Sequence, residues 1–465
     1  MMVVALAMMG SVVAGWLAAR VTRDAVCVRL ILGAYGVNVA LASLLYMASL
    51  HHWPLFVEQQ VGPGFWQFAQ DAQYHHDVGR DLAQAWREGM AVSTEGKPAN
   101  WWFILYVGLV YRVLGAHPLH VAVLNAWYNA VMVCSGVSML TQWSAPKAAV
   151  RFGAAVLGFW PSLLLWSSQV LKDPMVLALI MLGLAAVIHL VRWPAASRPV
   201  MVGSLVCVAG VTVALRLLRE FTGLAFAITV VAAAVVWWVQ ALRRKAAGGS
   251  GRVLGMAVAI SLAFLLAGYV DAASATWSAP RPAQSSPGTG GSEAGRSVLV
   301  IRGNAESHPM PNTLRNLRKG FIDSGGSSRI DPEVRMDTIW DVVKYLPRGL
   351  AVAFLAPFPW HWSEQGGQSG IFRTLASIEV ALVYLLLLDV LLRPRDLRKS
   401  LGPQMAIVWL FIVLMIVPMS LTVANLGTLF RLRLQFLMPL MLLVSSADPL
   451  GRYASQRVGS GNGSP

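Results

Sequence analysis

The chain has 465 residues, 56% hydrophobic and 13% charged, with a mean hydropathy of +0.58. A soluble domain is usually about a quarter charged, so this composition excludes an ordinary water-exposed globule. The net charge of +15 does not imply a nucleic-acid partner, because Lys and Arg gather at the ends of apolar runs, where membrane topology places them.

Many apolar runs approach the roughly 20 residues that a helix needs to cross a bilayer. They predict an all-α polytopic membrane protein of eleven spans, near 2–19, 30–49, 119–140, 152–168, 174–191, 199–217, 221–241, 253–271, 372–392, 404–424 and 429–446. The N-terminal run has no basic n-region, so it reads as a first span rather than a cleaved signal peptide. Two spans (1–49) thus precede a first loop (50–118), and a six-span core (119–271) precedes a second loop (272–371). Three spans (372–446) and a tail (447–465) follow. Cys27, Cys134 and Cys207 lie singly in or beside apolar runs, which argues against a disulfide framework or a zinc site.

Basic residues orient the spans. Arg20, Arg23 and Arg29, Lys147 and Arg151, Arg192 and Arg198, the 243–252 cluster, RPRDLRK (393–399) and Arg452 with Arg457 mark cytoplasmic connections. The parity requires that WWFILYVGLVYRVLG (101–115) does not cross, and its length and aromatic content suit a juxtamembrane helix. PRGLAVAFLAPFPWHW (347–362) reads the same way. The N-terminus is then outside, the C-terminus cytoplasmic, and both long loops external. The short turns at 167–174, 216–220 and 424–433 share the external face. Charged residues unexplained by the positive-inside bias collect there, and costly membrane-edge charges usually mark a site.

In the second loop, 275–295 is a mobile Gly/Ser/Pro linker by composition. SVLVIRG (297–303) has strand composition, LRNLRKGFIDSGGSSRIDP (314–332) is basic and turn-rich, and RMDTIWDVVKYL (335–346) has the period of an amphipathic interfacial helix.

In the first loop, QDAQYHHDVGRD (70–81) concentrates polar chemistry. At 100° per residue, Asp71, Tyr74, Val78, Leu82 and Ala85 share a mostly apolar face. Arg80, Gln84, Arg87 and His76 lie opposite, Asp77 and Asp81 flank them, and His75 occupies the other flank. The adjacent histidines point apart, so a solvated pair is expected rather than a metal site. Asp71 is the misfit, either a helix N-cap or a functional carboxylate.

An acidic residue followed three positions later by Tyr in the first external loop resembles the GT-C class of polyprenyl-phosphate-sugar-dependent glycosyltransferases. The likeness continues in YRVLGAHPLHVAVLNAWYNAV (111–131), FWPSLLLWSSQVLKDPMVLALI (159–180) and NLGTLFRLRLQFLMPLMLL (425–443). It covers most of 65–190 and the last spans, and departs from the family in having two spans before the acidic loop rather than one.

The resemblance implies an inverting transfer of sugar from a polyprenyl-phosphate-linked donor to a glycan, lipid or protein acceptor, on the external face of a bacterial inner membrane. Membrane lipids are the surroundings and no nucleic acid takes part. Such a reaction needs a base for the acceptor proton and cations for the leaving phosphate. Asp71 maps to the base position, and Asp173 would help orient acceptor or metal, or simply cap the helix that Pro174 begins. Any divalent metal (Mg or Mn) would sit at Asp71.

Tyr74 accompanies Asp71 in the motif. Lys172, Arg216, Arg219, Arg431 and Arg433 are phosphate candidates, with lipid-headgroup snorkelling as the alternative. Arg431 and Arg433 are two apart, so only one is expected to face inward. Trp360 and His361 would contact sugar or lie in the interfacial belt, and Arg315 and Arg318 would close as a lid or form a solvated face. An O-antigen polymerase or ligase would rest instead on Arg302, Arg315 and His308, and a transporter on charges at mid-membrane.

Overall fold

The computed structural model describes residues 1–95, 100–192, 198–243, 298–302, 313–323, 329–362, 370–392 and 402–447, with scattered positions between 255 and 268. Helices dominate. In chain order they begin with α1 (Met2–Val21), α2 (Ala25–Leu50), α3 (Gln70–Arg87), α4 (Trp101–Leu114) and α5 (Pro118–Gln142). Then come α6 (Lys147–Gly158), α7 (Pro161–Ser167), α8 (Asp173–Arg192), α9 (Arg198–Leu218) and α10 (Glu220–Arg243). The remainder are α11 (Thr313–Asp323), α12 (Ile339–Leu355), α13 (Gly370–Leu391), α14 (Pro403–Thr422), α15 (Leu426–Leu432) and α16 (Leu434–Ser446).

Among the described residues seven helices are long and apolar enough to cross a membrane, or up to nine if the bent pairs α6–α7 and α15–α16 each count as one span. The protein is therefore an all-α polytopic membrane protein. The bent pairs coincide with the expected spans 152–168 and 429–446, and turn by 45° and 47°. Pro161 opens α7, which accounts for the first break, because proline offers no N–H to continue the preceding helix. The helix α13 occupies the expected span 372–392, whereas most of 253–271 falls outside the described residues. So do the whole 275–295 linker, His308 and the tail beyond 447.

The helices α5 and α8 form the middle of the bundle and are mostly buried, while α1 and α9 are mostly exposed. The exposed side of α1 carries Met8, Met9, Val12 and Trp16, side chains suited to hydrocarbon. The core around its inner helices is mostly apolar, with a few buried polar side chains such as Asn125 and Asn129 of α5.

The elements of the two long loops sit on this bundle. Two glycines allow α3 and α4 to pack closely: a Cβ at Gly79 would come within 2.5 Å of Val107, and one at Gly108 within 2.9 Å of Leu82. A short hairpin, β1 (Gln60–Gly62) and β2 (Phe65–Trp66), precedes α3. The strand expected in SVLVIRG is β4 (Val298–Arg302), which pairs in parallel with β3 (Ala91–Glu95), a strand the sequence reading of the first loop did not include.

Two expectations are corrected in the second loop. The basic 314–332 stretch is not all turn, since α11 occupies Thr313–Asp323. Pro347 does not separate an amphipathic helix from a second juxtamembrane one, because α12 runs through it. Thr338 and Asp341 start α12 with a capping box, and Gly349 lets it approach the Ser420 carbonyl on α14. Together these hold the helix across the one hydrogen bond that proline removes.

Candidate functional site

Four separate parts of the chain meet at one edge of the bundle. The first turn of α3 brings Asp71, the start of α8 brings Asp173 with Lys172 before it, the α9–α10 junction brings Arg219, and α15 brings Arg431. Arg431 Nη2 donates to Asp71 Oδ2 at 2.9 Å and its Nε lies 3.4 Å from Asp173 Oδ2. Arg219 Nη2 donates to Asp173 Oδ1 at 2.8 Å. Carboxylate and guanidinium therefore alternate along a line from Asp71 through Arg431 and Asp173 to Arg219.

Exposure differs sharply along that line. The Asp71 side chain is 47% exposed, whereas that of Asp173 is 6% exposed. Ala69, not Asp71, stands at the α3 N-cap and it makes no side-chain bond, so the Asp71 carboxylate serves Arg431 rather than capping the helix. Asp173 Oδ2 and Arg431 Nε face each other as an ion pair without forming a hydrogen bond, and Arg219 Nη1 is a buried donor with no hydrogen-bond partner among the described residues. Leaving such a donor unsatisfied costs about 1–3 kcal/mol, which an incoming anion's oxygens can recover.

The turn before α8 is clamped from several sides. Asn125, the polar residue of the VLN segment in α5, donates to the carbonyls of Gln169 at 2.8 Å and Leu171 at 3.2 Å. Lys172 Nζ donates to the Leu218 carbonyl at 2.8 Å and to Asn100 Oδ1. Burial and the neighbouring Arg219 push the Lys172 ammonium down to about 7. His75 bonds the Val170 carbonyl through Nδ1 at 3.0 Å and Asn100 Nδ2 through Nε2 at 3.1 Å. Burial holds the His75 imidazole down to about 4, so it is neutral at pH 7.

The solvated reading of His75 and His76 is thus overturned. The face of α3 that packs inward carries Ala72, His75, His76, Gly79, Leu82 and Ala83, while Asp71 and Tyr74 lie on the more exposed side. His76 meets the Tyr111 hydroxyl at 2.7 Å. Each ring has a polar partner, which is what allows a histidine to be buried. Counting histidine as a wet residue therefore rotated the expected apolar face away from the observed one.

The other candidates have separate places. Tyr74 is 40% exposed and meets the site through the ring of His75, with centroids 6.0 Å apart. Arg216 pairs with the exposed Glu220 at 2.5 Å, so Glu220 serves Arg216 while Arg219 serves Asp173. Trp360 is exposed and stacks on Phe358 at 4.7 Å. The side chains of His361, Arg315 and Arg302 lie outside the described residues.

Arg318 is not a free lid residue. It is 3% exposed and donates to the carbonyls of Leu421, Ile330 and Asp331, with its guanidinium over the Tyr345 ring. Arg433 also departs from expectation, because it points inward together with Arg431. The bend between α15 and α16 releases the two arginines from a single helical phase, and Arg433 enters a second buried pair with Glu379 at 2.9 Å. Glu379 also accepts from Ser162 N at 3.0 Å, and Arg433 donates to the Ala356 carbonyl at 2.8 Å.

The donor set does not suit a divalent metal. Both carboxylates of the line already face guanidinium groups, and a cation between them would have to displace Arg431. Among the described residues no three His, Cys, Asp or Glu side chains gather as metal ligands. What the arrangement can do is receive an anion: with Lys172 protonated, the two arginines and the lysine exceed the two carboxylates by one positive charge. Compared with protein-family models, curated proteins and solved structures, the chain matches none of them.

Proposed function

We propose that the chain is an inverting glycosyltransferase that takes sugar from a polyprenyl-phosphate-linked donor and passes it to a cell-envelope acceptor at the external edge of a bacterial inner membrane. The observation that carries the reading is the meeting of Asp71, Asp173, Arg219 and Arg431, drawn from four distant parts of the chain, with the buried donor Arg219 Nη1 left without a hydrogen-bond partner among the described residues. Catalytic groups must reach one substrate, and an array of this kind at a membrane edge is costly without a ligand.

In this reading Arg219, Arg431 and Lys172 hold the phosphate of the donor, where guanidinium forks suit phosphate oxygens. Asp71, the carboxylate open to solvent, takes the proton of the acceptor as its oxygen or nitrogen attacks the anomeric carbon. The bond from that carbon to the phosphate oxygen breaks, and polyprenyl phosphate leaves with the electron pair against the cationic groups. Asp173 holds both arginines in place. No step is routed through a metal.

One observation favours a transporter instead, since Arg433 and Glu379 form a charge pair deep in the bundle. Both are closed off from solvent, at 3% and 0% side-chain exposure; their other hydrogen bonds go to the Ser162 and Ala356 backbone, and the Arg433 guanidinium lies over the Phe430 ring. A structural pin between two bent helices is the better account of that pair.

The test uses the purified full chain in nanodiscs with a sugar-labelled polyprenyl monophosphate and a lipid or glycan acceptor extract. The expected result is labelled product with the anomeric configuration opposite to that of the donor. Net retention, or labelled donor left intact with every acceptor class, contradicts the reading.

A further inference from the structure

The site contains a chain of side-chain bonds that the reaction itself does not use. It starts at the Val170 carbonyl, passes through His75 and Asn100, and ends at Lys172. Directionality follows from the chemistry of each member. The Val170 carbonyl only accepts, so His75 Nδ1 carries the proton. His75 Nε2 is then an acceptor, which matches Asn100 Nδ2 as donor. That leaves Asn100 Oδ1 as the acceptor for the Lys172 ammonium.

Asn100 adopts a left-handed backbone conformation, with φ of 62° and ψ of 27°, immediately before α4. Asparagine tolerates this region better than most residues, yet its side chain makes no capping bond there. The strained residue therefore directs its carboxamide away from the helix end and into the gap between His75 and Lys172. Backbone strain of this kind persists where surrounding structure holds it, commonly near functional sites.

An ammonium has three donors. Two are committed, to Asn100 Oδ1 and to the Leu218 carbonyl. Their directions fix the third. We propose that His75 and Asn100 are positioning residues, which act through Lys172 by holding its third N–H toward the anionic group of the donor. The assignment rests on the phosphate-holding role given above to Lys172. It adds two residues that touch neither sugar nor phosphate.

The groups that face Lys172 are Asp71 and His75 from α3, its neighbour Asp173, Arg219 at the α9–α10 junction, and Arg431 from α15. Burial disfavours the charged form of Lys172, Arg219 and Arg431 repel it, and the two carboxylates support it. The Asn100 carboxamide supplies a neutral acceptor within this balance. A carboxylate in its place would favour the ammonium, and a methyl group would not.

The test measures binding of undecaprenyl methyl phosphate to the full chain in nanodiscs between pH 5.5 and 9.5. This phosphodiester probe keeps one negative charge throughout, so its own titration cannot produce a midpoint. In the unaltered chain, affinity is expected to fall as pH rises past the point where Lys172 loses its proton. Lys172→Met is expected to bind about tenfold more weakly and to lose that pH dependence. Asn100→Asp is expected to move the midpoint upward, and Asn100→Ala to move it downward with several-fold weaker binding. General damage to the fold would not raise the midpoint, so Asn100→Asp remains decisive if Asn100→Ala cannot be purified. If Lys172→Met binds the probe as the unaltered chain does, the phosphate-holding role itself fails. If Lys172→Met weakens binding while Asn100→Asp leaves the midpoint in place, the positioning role is overturned and the phosphate role stands.

Discussion

Arg431 on α15 donates to Asp71 on α3 at 2.9 Å, joining two residues 360 positions apart in the chain. The contact closes one edge of the bundle, because α3 belongs to the first long loop and α15 leads into the last described helix. It is also the wet end of the charged line, with the Asp71 side chain 47% exposed. Exposed ion pairs contribute about 0–1 kcal/mol. Asp71→Asn is therefore expected to change stability by less than about 1 kcal/mol in thermal unfolding of the purified protein. A much larger loss would make Asp71 a structural residue.

Asp173 should behave in the opposite way. It is buried between Arg219 and Arg431, and removing one partner of a buried ion pair typically costs about 3–5 kcal/mol because the other charge is left uncompensated. Asp173→Ala is expected to lower the unfolding midpoint strongly and to reduce the yield of folded protein. Unchanged stability would show that the buried line is not held as described.

The Glu379–Arg433 pair offers a cleaner double substitution. Glu379 joins both bent helix pairs, accepting from Ser162 on α7 and from Arg433 at the α15–α16 bend. Glu379→Ala alone is expected to cost about 3–5 kcal/mol. Glu379→Leu combined with Arg433→Met should recover much of that loss, since apolar replacement of a whole buried pair is often neutral or better. Unfolding of the single and double variants in one detergent reads the coupling directly.

The pH dependence of stability should carry the signature of His75. Its folded imidazole is held down to about 4 by burial, against an ordinary value of 6.5. Between these values the unfolded chain binds a proton that the folded chain refuses, so the His75 contribution to stability falls as pH drops through this window. Below about 4 both states are protonated and no further loss arises from this group. The difference in unfolding midpoint between the unaltered chain and His75→Gln is expected to shrink from pH 7 to pH 4. A constant difference would mean that His75 titrates alike in both states.

Much of this arrangement was legible in the residues themselves. Apolar run length located the seven helices long and apolar enough to cross a membrane and the two bent pairs, and the charges that the expected topology left over on one face included Asp71, Lys172, Asp173, Arg219 and Arg431. What could not be read was partner choice. Helical phase treated His75 and His76 as solvated, because nothing local shows that Val170, Asn100 and Tyr111 will satisfy their ring nitrogens. Arg433 was paired by assumption with the phase of Arg431, and a bend of 47° removed that constraint. Asn100, in the run PANWW, carried no signal beyond its place before an aromatic helix.

The central claim is that Asp71 accepts the proton of the acceptor at a site that otherwise survives its loss. The most direct measurement is sugar transfer from a labelled polyprenyl monophosphate by Asp71→Asn in membranes, run beside the unaltered chain at equal amounts of folded protein. A positioned general base contributes about 10²–10⁴-fold. Asp71→Asn is expected to lose at least about a hundredfold in rate, with thermal unfolding close to that of the unaltered chain. Transfer by Asp71→Asn at the unaltered rate would contradict the claim.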